Sequence, residues 1–95
     1  MTAKRRYERA KAARDRVREM LIDCERLLAV SYYEWANAGD HPDAKALFEG
    51  TVARLTEDRD RLRERLDRAE EDLTRAVWRH RFGSEFGTDP TEEEA

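Results

Sequence analysis

Apolar side chains recur every three to four residues along two long stretches of this 95-residue chain, one on each side of Gly39. In the first stretch, a heptad frame with a positions at Tyr7, Arg14, Leu21, Leu28 and Trp35 puts Ala10, Val17, Cys24 and Ser31 at d. In the second, d falls at Phe48, Leu55, Leu62, Ala69 and Ala76, and a at Val52, Arg59, Leu66, Leu73 and His80. Each pattern alone predicts an amphipathic helix. Together they predict a mating. If the chain reverses just after Gly39, every a residue meets a d residue whose numbers add to 83, as Trp35 with Phe48, Leu28 with Leu55, Leu21 with Leu62 and Val17 with Leu66. The expected fold is all-α: a two-helix antiparallel coiled-coil hairpin that dimerises into a four-helix bundle.

Helix-breaking residues place the boundaries. The hairpin domain is expected over 1–82, with helix 1 over about 3–36, a turn over 37–42 and helix 2 over about 43–82. Gly39 suits the left-handed position after a helix C-terminus, and Pro42 suits a first helical turn, where its missing N–H costs nothing. Asp40 or His41 serves as the cap, and Asp40 and Asp43 complement the positive end of the second helix dipole. Gly50 marks either a weak point in helix 2 or a place where another backbone comes close. Residues 83–95 hold Gly83, Gly87 and Pro90 and are expected to form a flexible acidic tail. The outer face of helix 2 carries Glu57 with Arg61, Glu64 with Arg68 and Glu71 with Arg75, each a favourable i, i+4 pair.

Composition sharpens this picture. Charged residues make up 43% of the chain against 39% hydrophobic, so one hairpin buries a thin seam and little else. The net charge of −3 conceals an asymmetry. Residues 1–18 carry eight basic groups and two acidic ones, whereas the last thirteen residues carry five acidic groups and no basic one. A basic start and an acidic end point to self-association of the tail or to an electrostatic partner. No apolar run is long enough for a membrane span, and the charged start lacks the apolar core of a signal peptide, so the expected setting is cytoplasmic, with no membrane partner. The preference for Arg over Lys, with many Ala, fits a GC-rich genome and suggests an accessory protein of an actinobacterium or a phage.

The residues that could carry chemistry are few. Cys24 sits at a d position and reads as a small buried side chain. His80 falls at a seam position beside Ala3 and Tyr7, where packing is the better account. The loop Asp40-His41-Pro42-Asp43 offers three ligand types, but helix capping explains both carboxylates. No Glu-x-x-His stands in either helix, so a di-iron centre is not expected. Cys24, His41 and His80 are too far apart in the expected fold for a nucleophile and base to meet. No enzyme activity, metal, cofactor or small-molecule substrate is therefore expected.

Two surfaces remain. Around the turn, Met20, Ile22, Leu27, Val30, Tyr32, Tyr33 and Leu47 are apolar and lie off the seam. A helix apolar on several faces has to be covered on them, so these residues are the expected partner interface, most simply with a second copy and otherwise with a larger protein. At the start, Lys4, Arg5, Arg6, Arg9 and Lys11 form a candidate nucleic-acid contact, by the logic of a basic helix that continues into a coiled coil. No Asn stands among them to read a base, and the acidity of the whole chain weighs against broad nucleic-acid affinity. Arg14 and Arg59 interrupt the seam opposite Ala69 and Cys24, and are expected to lean out along it toward carboxylates.

In size, in its two matched helices and in Trp35 near the turn, the chain resembles the secreted helical hairpins of the WXG family. Where that family has Trp-x-Gly, this chain has Trp35-Ala36-Asn37, with Gly39 four residues after the tryptophan. The resemblance implies a secreted hairpin as a further alternative to the interaction module and the nucleic-acid-associated regulator.

Overall fold

The computed structural model describes residues 2–82. It contains two α-helices, α1 over Ala3–Ala36 and α2 over Pro42–Phe82, and no strand among the described residues. The acidic tail expected over 83–95 lies outside them.

The ends of both helices follow from local chemistry. Thr2 caps α1: its Oγ1 accepts the Arg5 backbone N–H at 3.2 Å, and its carbonyl accepts that of Arg6 at 3.0 Å. At the other end of α1, the Asn37 side-chain amide donates to the Tyr33 carbonyl at 2.7 Å, and Gly39 takes φ 63°. The carbonyl of His41 accepts the Lys45 N–H at 3.0 Å, so Pro42 is the first helical residue of α2 and loses no bond. Within α2, Thr51, Thr56 and Thr74 each turn their hydroxyl back onto the carbonyl four residues earlier, at 3.1, 2.7 and 2.9 Å.

Charge is matched to the dipole on α2 but not on α1. The first turn of α2 holds Asp43 and its last turn holds Arg79, His80 and Arg81. The first turn of α1 has no acidic residue and contains Lys4, Arg5 and Arg6 at its positive end. Each such cation costs a few tenths of a kcal/mol to about 1 kcal/mol at low salt. Helix stability therefore gives no reason for these cations to be there.

The described residues fall into two compact units, one made of Arg18–Glu64 and the other of the residues up to Val17 together with those from Arg65 onward. In the unit of Arg18–Glu64, the buried residues are Leu21, Cys24, Leu28, Ser31 and Leu62, with Phe48, Val52, Leu55 and Arg59 half-buried. In the other unit, Val17 and Ala76 are buried, and Tyr7, Ala10, Arg14, Leu66, Ala69 and Leu73 are half-buried. All of these occupy a or d positions of the two heptad frames. The ring of Tyr7 stacks on that of His80, with centroids 5.7 Å apart and planes 14° apart.

Trp35 departs from its expected place. Although it stands at an a position, it is 38% exposed. Its indole N–H donates to Glu49 Oε1 at 3.2 Å, and Lys45 Nζ lies 5.4 Å from its ring centroid. An indole beside a turn has no further layer to cover it, and its polar N–H draws it to the wet edge of the seam. The outer charge pairs also differ in detail. Arg61 reaches both Glu57 and Asp58, at 3.9 and 4.0 Å, and Arg75 pairs with Asp72 at 4.0 Å. These pairs are exposed and contribute little.

Two stability predictions follow from this packing. Leu62→Ala should cost about 2–4 kcal/mol in urea unfolding, and Arg61→Ala less than about 0.5 kcal/mol. Equal effects would mean that burial on the seam does not hold the fold. The two described glycines should respond with opposite sign. Gly39→Ala places a Cβ at φ +63° and should cost about 1 kcal/mol. Gly50→Ala meets nothing within 4 Å inside α2 and should stabilise by about 0.5–1 kcal/mol. Destabilisation by Gly50→Ala would mean that another molecule's backbone approaches there.

Candidate functional site

Cys24 has the most perturbed chemistry among the described groups. It is buried, and its thiol donates to the backbone carbonyl of Leu55 at 3.3 Å. Burial pushes its pKa up from the usual thiol range, the negative charge of Asp58 adds to this, and Arg59 opposes it. A thiol held protonated against a carbonyl is a weak nucleophile. His41 lies exposed in the turn, and His80 is stacked on Tyr7. Among the described residues, no three His, Cys, Asp or Glu side chains gather as a metal-binding group. Likewise, no described helix is long and apolar enough to cross a membrane.

The two seam cations are neutralised locally. Arg14 Nε donates to Asp15 Oδ1 at 2.7 Å, and Arg59 donates through Nε and NH2 to Asp60 Oδ1 at 3.4 and 3.3 Å. Both arginines are half-buried, and each pairs with the carboxylate of the next residue on its own helix.

The unit of Arg18–Glu64 carries the apolar surface. Met20, Ile22, Leu27, Val30, Tyr32, Tyr33 and Leu47 are all exposed, Tyr33 by 71%, Leu47 by 68% and Leu27 by 56%. Ile22, Val30 and Tyr33 occupy the b, c and f positions of α1, on the face away from the seam. Beside them, Tyr32, Trp35, Glu49, Val52 and Ala53 line a mainly apolar groove of about 240 Å³. Trp35 was assigned to the seam by its spacing, yet it forms a wall of this groove. Nothing in the heptad count distinguishes a seam tryptophan from an edge one; its adjacency to the Asn37-Ala38-Gly39 turn is the signal that could have.

The basic residues lie in the other unit. Lys4, Arg5, Arg9 and Lys11 are exposed on α1 and Arg6 is half-buried. Of these five, Arg6 and Arg9 come together with α2, lining a groove of about 490 Å³ with Ala10, Ala13, Ala69 and Asp72. A neighbouring groove of about 250 Å³ shares Arg6, Ala10 and Asp72, and adds Ala3, Arg75, Ala76 and Arg79. Nearby, Trp78 is 55% exposed and rests against Phe82, with ring centroids 4.8 Å apart.

The raised thiol pKa sets a testable sign. A group whose folded pKa lies above its unfolded value supports the fold at low pH, and that support is lost as pH rises past the unfolded value of about 8.5. Between neutral pH and about pH 10, the wild-type chain should lose stability that a Cys24→Ala variant does not lose. Its thiol should also need denaturant for full labelling at neutral pH; rapid labelling of the native chain would contradict the burial. No protein-family model, curated protein or solved structure matches this chain, so its functional reading rests on its own residues.

Proposed function

We propose that the two helices pack as an antiparallel hairpin and that the protein is a non-enzymatic interaction or assembly module, whose simplest partner is a second copy of itself. The hairpin reading is supported within each unit. Tyr7 stacks on His80, Cys24 bonds to Leu55, and Trp35 bonds to Glu49. Each pair falls within about one helical turn of the register in which residue numbers add to 83.

The observation that carries the functional reading is the exposure of the apolar side chains Met20, Ile22, Leu27, Val30, Tyr32, Tyr33 and Leu47 within one unit. Seven large apolar side chains exposed together within one small unit are more than scattered surface hydrophobes and mark an association surface. Burying one such side chain contributes about 1.5–3 kcal/mol, far more than an exposed ion pair on the same helices. Helix α1 places Ile22, Val30 and Tyr33 on the b, c and f face, which the proposed seam leaves open. A two-fold pairing of two hairpins through that face gives a four-helix core with the apolar residues inside. Docking on a larger protein through the same face is the alternative form of this reading.

A second reading has its own support. Lys4, Arg5 and Arg6 stand at the end of the α1 dipole that disfavours them. An anionic partner such as nucleic acid would explain why Lys4, Arg5, Arg6, Arg9 and Lys11 are there, and its binding to duplex DNA would weaken steeply with salt.

Light scattering after size exclusion tests the first reading. The wild-type chain should elute as a multiple of its 11.2 kDa mass. The double variant Val30→Glu, Tyr33→Glu should elute as a monomer or aggregate, with a lower melting temperature. Wild-type mass and melting temperature in that variant would place the interface elsewhere.

A further inference from the structure

The outer side of α1 carries a row of arginines that the packing does not use. Arg5, Arg9 and Arg16 stand at f, c and c of the heptad frame, away from the a and d positions. At about 100° per residue, their side chains leave the helix within about 40° of one another. All three are exposed, and none makes an ion pair with another described residue. Over Ala3–Val17, α1 holds two carboxylates, Glu8 and Asp15, and Asp15 is already held by Arg14 at 2.7 Å. Resting on the second reading above, we propose that Arg5, Arg9 and Arg16, flanked by the exposed Lys4 and Lys11, grip the phosphate backbone of duplex DNA without reading its bases.

Charge, spacing and neighbours argue for this partner. Arg5 stands in the first turn, where the helix dipole disfavours a cation, so helix stability does not account for it. From Arg5 to Arg16 the helix rises about 16 Å. A duplex carries one phosphate charge per ~1.7 Å of its axis, so a row of that length meets several phosphates whatever the base sequence. Guanidinium forks match phosphate oxygens two at a time. Over Ala3–Val17 there is no Asn or Gln to pair with adenine, which suits contact with the backbone alone. Other polyanions fit this stretch less well. A lipid surface holds a basic helix through Trp, Phe or Leu beside its cations, whereas the large apolar side chains here, Tyr7 and Val17, are half-buried and buried. A single strand needs rings on which its bases stack, and the ring of Tyr7 is already stacked on His80.

The test titrates the full chain into short labelled DNA duplexes and follows fluorescence anisotropy. The logarithm of affinity should fall against the logarithm of salt with a slope of about −3 to −4.5, as three to five cations each displace about 0.9 of a counterion. Two duplexes of unrelated sequence should bind within about threefold of one another. The variant Arg5→Gln, Arg9→Gln, Arg16→Gln should flatten the slope by about 2.7 and lose at least about tenfold in affinity at about 50 mM salt. It should melt no lower than the wild type, because Gln is a good helix former and Arg5 opposes the dipole. The variant Arg26→Gln, Arg54→Gln, Arg63→Gln removes the same charge from exposed positions of the unit Arg18–Glu64 and should bind as the wild type does. Equal losses in the two triple variants would overturn the proposal, assigning binding to net charge. Tighter binding to a single strand, or a preference above about tenfold for one duplex, would overturn it while leaving the second reading in place. Absence of binding to any nucleic acid at about 50 mM salt would remove both. Arginine-dependent capture by phosphatidylserine vesicles in that case would assign the row to lipid headgroups.

Discussion

Burial on the a and d positions is the interaction on which everything else in this molecule depends. The buried residues Val17, Leu21, Cys24, Leu28, Ser31, Leu62 and Ala76 all belong to that set. Hydrophobic stabilisation scales with apolar area removed from water, and a seam two helices wide removes little of it. Each layer is therefore a large share of the total. Where those positions hold leucine in the unit of Arg18–Glu64, as at Leu21, Leu28 and Leu62, the side chains are buried. Where they hold alanine, as at Ala10 and Ala69, a groove remains.

This economy separates the two kinds of surface. In the unit of Arg18–Glu64, good packing at the seam leaves surplus apolar side chains on the other faces of α1, and water is a poor neighbour for them. In the other unit, the surplus is charge. Lys4, Arg5 and Arg6 oppose their own helix dipole, and Arg6 and Arg9 join Arg75 and Arg79 around small residues. Both features cost the isolated chain stability, and both are accounted for if something covers them. The proposed self-association covers the first with nothing but a second copy of the chain.

Much of this was legible from the order of residues. The two helices begin and end within a residue of where Gly39, Pro42 and Phe82 place them, because breakers act locally. Burial follows the heptad frame because a period near 3.5 leaves one stripe to bury. What the pattern did not reveal depends on geometry between side chains. Thr2 is a cap only because its hydroxyl reaches the Arg5 N–H; the same residue in an unfolded start would mean nothing. Trp35 has the spacing of a core residue and the surroundings of an edge one. The meeting of Arg6 and Arg9 with Asp72 could be sensed as a mixed charge cluster, but a groove is a property of what is small beneath the charges, and composition does not report it.

The neutralisation of Arg14 and Arg59 by the very next residue has a consequence for identity. Each cation carries its counterion on its own helix, Asp15 for one and Asp60 for the other. An ion pair that closes within one helix holds no information about the helix across from it. Recognition between helices then falls to side-chain shape and to contacts such as Cys24 with Leu55 and Trp35 with Glu49, which are the same in every copy of the chain. Nothing in the electrostatics of those two layers marks a neighbouring helix as self or foreign, so a helix from another molecule could take the place of the chain's own without breaking a single seam ion pair.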